Sequence, residues 1–115
     1  EKNGDQFAAI MDLDSGAIGR YNAHWYSPGG WSTVLYGDGV TVEFKPLESG
    51  TWTDNQFETH EIKPDDVDQK FKPGFYEQMK AFGEMIINGN LTWPGQDLAS
   101  SYRTIQLAEK VSVRE

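Results

Sequence analysis

The sequence predicts an α+β domain: a mostly antiparallel, open sheet of about five to six strands with two helices packed on one face. Three observations carry this expectation. The first 62 residues break into short stretches that alternate apolar and polar side chains, separated by Gly, Asp and Pro turns. The last 40 or so hold two stretches with helical spacing. Strands joined in succession by short turns pair antiparallel, with one face packed and the other open.

Taken in order, Gln6 to Leu13 places Phe7, Ala9, Met11 and Leu13 on one face and Ala8, Ile10 and Asp12 on the other, a strand. Asp14-Ser15-Gly16 turns the chain, and a second strand runs from Ala17 to about Tyr26. Ser27-Pro28-Gly29-Gly30 interrupts it before strand character resumes at Trp31 to Tyr36. Gly37-Asp38-Gly39 leads into Val40 to Leu47, where Val40, Val42 and Phe44 face opposite to Thr41, Glu43 and Lys45. Thr51 to Thr53 and Phe57 to Ile62 read as edge strands, and the charged Lys63 to Lys70 as a surface link.

The first helix is expected from Gly74 to Ile87. Phe75, Met79, Phe82 and Ile86 recur at spacings of four, three and four, Glu77, Lys80 and Glu84 form its solvated side, and Asn88-Gly89 ends it. Gly83 beside the stripe implies a close helix neighbour. The second helix starts at Asp97, a good N-cap, and carries Leu98, Tyr102, Ile105 and Ala108 on one side. Leu107 and Val111 fall on the other side and call for a second covering surface, with Val111-Ser112-Val113 leaving as a short strand.

Composition excludes several functions. The 115 residues suit a single domain, long enough to bury roughly two thirds of the unfolded surface. Eighteen acidic residues against ten basic ones give a net charge of -8, and the cations are scattered, which argues against a nucleic-acid partner. The absence of cysteine rules out disulfides and thiolate chemistry. No apolar run reaches the roughly 20 residues of a membrane span, so no membrane partner is expected. The chain lacks an initiating Met and enters a strand pattern within six residues, as an excised domain or processed chain would.

Catalytic motifs are scarce. Asp12-x-Asp14-x-Gly16 starts like a calcium loop, but Ala17 and Ala23 stand where Gly and Glu are needed. His24 and His60 lie 36 residues apart without partners at ligand spacing, so no metal site is expected. Asp65, Asp66 and Asp68 read as a solvated connector, and Gly37-Asp38-Gly39 lies between strands rather than before a phosphate-binding helix. Asn90-Leu91-Thr92 matches a glycosylation sequon, a pattern that also arises by chance. A small enzyme would need a convergent set such as Tyr21, His24 and Tyr102, which the sequence does not compel. The aromatic group His24, Trp25, Tyr26 and Trp31, with Trp52 and Phe57 further on, is too large to lie wholly under two helices. Half of these aromatics can be core and the rest scattered on the surface; otherwise His24, Trp25, Tyr26 and Trp31 are the candidate substrate-side or interface residues, for dimerisation through the sheet or for sugar stacking.

The Asp-Ser-Gly-Ala turn, the Trp-Ser strand, Gly-Asp-Gly followed by Val-Thr-Val-Glu-Phe, then FYEQMKAFGEMIINGN and PGQDLASSYRTIQLAEKV occur in an order that resembles the C-terminal domain of the glucose-fructose oxidoreductase / inositol dehydrogenase / MocA-like family. The resemblance covers nearly the whole chain and is most specific in its last 40 residues. It implies a parent NAD(P)-dependent dehydrogenase of sugars, inositols or related polyols, cytoplasmic, or periplasmic where the parent carries an upstream signal. In that family an N-terminal Rossmann domain holds NAD or NADP, while the C-terminal domain shapes the substrate pocket and commonly forms the oligomer interface. A homodimer or higher homo-oligomer through the open sheet face is thus implied, with Leu107 and Val111 as contacts to the missing domain. The family's glycine-rich loop, Glu-Lys-Pro segment and Asp/His-bearing helix have no counterpart here, so the resemblance transfers no catalytic or cofactor-binding residue. The alternative class is a self-standing carbohydrate- or protein-binding α+β module.

Overall fold

The structure, a computed structural model, describes residues 5–112 of the chain. It is an α+β architecture of six strands and three helices, all strand pairs being antiparallel. The strands form two sheets, a two-stranded and a four-stranded one, where the sequence suggests one. The chain correspondingly divides into two compact units. One combines the described residues up to Pro28 with those from Trp93 onward; the other is Gly29–Thr92.

In the first unit, β1 (Gln6–Asp12) and β2 (Ile18–His24) make a hairpin in which Phe7 faces Ala23, Ala9 faces Tyr21 and Met11 faces Gly19. Phe7, Ala9 and Met11 are half-buried while Ala8, Ile10 and Asp12 are exposed, so the period-two pattern gives the correct sheltered face. The turn closes through Leu13 N–H to the Ala17 carbonyl at 2.9 Å and Gly16 N–H to the Leu13 carbonyl at 2.8 Å, with Gly16 at φ 84°. It is a hairpin turn. The third helix in chain order, α3 (Leu98–Ser112), lies against β1. Its first turn is capped as expected, the Asp97 carboxylate accepting from Ser100 N–H at 2.7 Å. Helix geometry continues through Ser112, so Val111 and Ser112 do not begin a strand; Val113 lies outside the described residues. Alternating apolar residues at a helix end fit either state, and the i→i−4 hydrogen-bond ladder already running through α3 extends more easily than an unpaired strand starts.

The second unit is a meander in the order β3 (Thr33–Gly37), β4 (Val40–Phe44), β5 (Gly50–Asp54), β6 (Thr59–Ile62). Its register aligns Leu35, Val42, Trp52 and His60 in one cross-strand row, flanked by Val40 opposite Asp54 and by Phe44 opposite Gly50. The reverse face carries Thr41, Glu43, Thr51, Thr53, Thr59 and Glu61, besides Val34 and Tyr36. β5 is an interior strand rather than an edge, because it pairs with both β4 and β6. Phe57 is not in a strand but in the β5–β6 turn, at φ 65°.

Lys63 to Lys70 is more than a link. It contains a short helix, α1 (Asp66–Lys70), with Asp65 as N-cap accepting from Asp68 N–H at 3.0 Å. The longer α2 (Phe75–Asn88) ends at Gly89, which adopts φ 69° and donates its N–H to the Met85 carbonyl at 2.8 Å. Lys80 and Glu77 pair at 3.4 Å on its exposed side. Within this unit α2 touches α1 and none of the four strands, so the expected packing of both helices on one sheet face is not realised. Hydrophobic period identifies the apolar stripe of a helix but leaves its partner unspecified. A Cβ on Gly83 would meet nothing within 4 Å, so the close neighbour inferred from that glycine is absent from the described residues.

No described side chain is fully buried. Phe75, Met79, Phe82 and Ile86 are 52–66% exposed, and the most sheltered residues lie along the central strands β4 and β5.

Candidate functional site

The densest polar arrangement is on the β5–β6 hairpin. The turn is built by Asp54. Its N–H donates to the Glu58 carbonyl at 3.1 Å, its carbonyl accepts from Phe57 N–H at 3.1 Å, and its carboxylate Oδ1 accepts from Gln56 and Glu58 N–H, both at 2.9 Å. This is the hydrogen-bond pattern of the β1–β2 turn, with Phe57 in the left-handed position that Gly16 occupies there. Those donors, the Glu58 N–H first, hold the Asp54 carboxyl below its ordinary pKa of 3.8.

His60 follows two residues after Glu58, on the same face as Asp54. The Trp52 indole stacks on its ring with centroids 4.0 Å apart and planes 20° from parallel. Nε2 of His60 lies 3.7 Å from the Asp54 carboxylate, beyond hydrogen-bond distance, and this buried nitrogen has no hydrogen-bond partner. One donor atom each from Asp54, Glu58 and His60 falls within 4.8 Å of the others. Two carboxylates and an imidazole make a donor set suited to a divalent cation of the zinc class.

Sequence reasoning missed this set because it began the last strand at Phe57. With the turn at Asn55 to Phe57, and Trp52 opposite His60, positions 54, 58 and 60 share one face. The Asp-x-x-x-Glu-x-His spacing was the available signal.

The aromatic candidates are distributed differently. His24 ends β2, and Tyr26 approaches it edge-on, with centroids 5.8 Å apart and the hydroxyl 3.4 Å from Nδ1. Trp25, Tyr26 and Trp31 are 77%, 63% and 82% exposed. Trp31 belongs to the other unit. Among the described residues no hydrogen bond joins His24 to Tyr21 or Tyr102, so the alternative catalytic set is not assembled by polar contacts. Leu107 is 46% exposed and Val111 half-buried. Among the described residues no helix is long and apolar enough to cross a membrane.

Comparison of the chain with protein-family models, curated proteins and solved structures finds no match in any of the three.

Proposed function

We propose that this chain is the C-terminal, substrate-side and oligomerisation domain of an NAD(P)-dependent oxidoreductase acting on a sugar, inositol or related polyol, inactive alone. Two kinds of support meet here. The first is the order of turns, strands and helices in the sequence, which resembles that of the glucose-fructose oxidoreductase / inositol dehydrogenase / MocA-like family. The second, which carries the reading, is that no described side chain is fully buried although the chain has strongly patterned apolar faces.

Such faces are stable only when something covers them. In this proposal the cover comes from a Rossmann domain, against Leu107 and Val111, and from a second copy across the open sheet face. His24, Trp25, Tyr26 and Trp31, at the end of β2 and before β3, then serve the substrate side or the interface. Hydride transfer needs a held nicotinamide and a positioned acid or base, which the N-terminal domain supplies.

Light scattering and calorimetric titration test the proposal together. The expected result is a dimer that binds neither NAD(H) nor NADP(H). A clean monomer at high concentration counts against the oligomer interface. A monomer with saturable sugar binding favours the self-standing binding module, and micromolar nicotinamide binding overturns the domain reading.

A further inference from the structure

We propose that Asp54, Glu58 and His60 form a binding site for a divalent cation of the zinc class, with Trp52 as the platform that orients the imidazole. The proposal is independent of the oxidoreductase reading, because the site lies wholly on one hairpin.

The spacing between Asp54 and His60 is the central observation. An imidazolium donating to a carboxylate would close to about 2.8 Å. Here the two atoms stay 3.7 Å apart, and Nε2 is both shielded from solvent and without a partner. A cation bonded at about 2.1 Å to both nitrogen and oxygen, at an angle between tetrahedral and trigonal, holds them about 3.4–3.6 Å apart. The gap therefore has the dimension of a metal bridge and not of a hydrogen bond.

Both sides of the gap are fixed by contacts outside it. The Asp54 carboxylate is tied through Oδ1 to the N–H groups of Gln56 and Glu58, which aims the other oxygen, Oδ2, at His60. The His60 ring is held from one side by the Trp52 indole at 4.0 Å. Ligands constrained in this way lose little freedom on binding a metal. Glu58 completes the set within 4.8 Å, needing a side-chain adjustment at an exposed turn. Three protein donors leave a fourth position open to water or to an exchangeable ligand, the pattern of an accessible zinc site. A single imidazole among the donors favours zinc-class ions over calcium or magnesium, which prefer all-oxygen shells with more ligands.

The test uses the whole chain, stripped with chelator and titrated with zinc by calorimetry and with cobalt(II) by absorption. Binding of one ion per chain is expected, with visible cobalt bands that zinc abolishes. Glu58→Gln, at an exposed position, and His60→Gln should each weaken binding on the order of tenfold or more. Bound cobalt should also quench Trp52 emission, and Trp52→Phe should remove that quenching. No binding up to millimolar zinc, or affinity unchanged from the parent chain in both ligand variants, overturns the site.

Discussion

Gly50 opens β5 opposite Phe44, and a methyl group there tests the packing of the four-stranded sheet. A Cβ on Gly50 would overlap the carbonyl oxygen of Glu43, and would lie 2.9 Å from Phe44 Cδ1 and 3.1 Å from the Glu43 carbonyl carbon. Two of those three obstacles are backbone atoms of the neighbouring strand, which cannot swing aside as a flexible side chain would. Overpacking of this kind costs about 1–3 kcal/mol, while the reduced freedom of the unfolded chain returns about 0.4–1 kcal/mol. A net loss of about 1.3 kcal/mol corresponds to a fall in Tm of about 5–10 °C for a domain near this size. Gly83→Ala is the matched control. The same atom added in α2 meets nothing within 4 Å and should stabilise by up to about 1 kcal/mol through helix propensity. Thermal melts followed by circular dichroism at equal protein concentration read both variants. An unchanged or raised Tm for Gly50→Ala would refute the close approach of β5 to β4, and a lowered Tm for Gly83→Ala would mean that a neighbour does occupy that side of α2.

Three further outcomes follow from local geometry. Phe57 holds a left-handed backbone at φ 65° in a turn whose counterpart uses Gly16, so Phe57→Gly should stabilise by up to about 1 kcal/mol, read as a higher denaturant midpoint; a lower midpoint would mean that the phenyl ring contributes more than the backbone strain costs. The Asp97 carboxyl is held below its ordinary 3.8, chiefly by Ser100 N–H, with the Ser100 hydroxyl and Arg103 adding to the effect. Because the folded value is depressed, its contribution is complete above the unfolded pKa and is lost as pH falls below about 3.8 through the folded value. Acid titration of helicity should therefore show a step in the parent that Asp97→Ala lacks, the variant having lower helicity above the step and the two curves approaching each other below it; identical curves would count against the cap. Replacing Thr53 or Thr59 by Val, which breaks their 3.1 Å cross-strand hydrogen bond on the more polar sheet face, should shift stability by no more than about 1 kcal/mol; a larger loss in urea melts would show that this face is covered.

Local elements were legible from the sequence. Apolar spacing placed α2 and α3 to within a residue or two, Asp97 and Gly89 marked a start and a stop, and alternation set the face of β1 and of β4. These signals are local because capping and amphipathic period act over one or two turns of chain. The short α1 was hidden because its five residues, DVDQK, carry no stripe, and only Asp65 as a cap hinted at it. The metal-ligand set was hidden by a strand boundary. Moving the turn by a residue changes which side chains share a face, so Asp54, Glu58 and His60 converge only in the observed register.

The sequence by itself thus determined an α+β chain of antiparallel hairpins and amphipathic helices, with its caps and most of its turns. Only the tertiary structure decided that the six strands divide into two sheets, that α2 meets α1 rather than a strand of its unit, and that His60 faces Asp54 across a cation-sized gap. The physical reason is range. Backbone hydrogen bonding and side-chain period are set by neighbours in the chain, whereas strand pairing and ligand convergence depend on register between segments that local preferences do not specify.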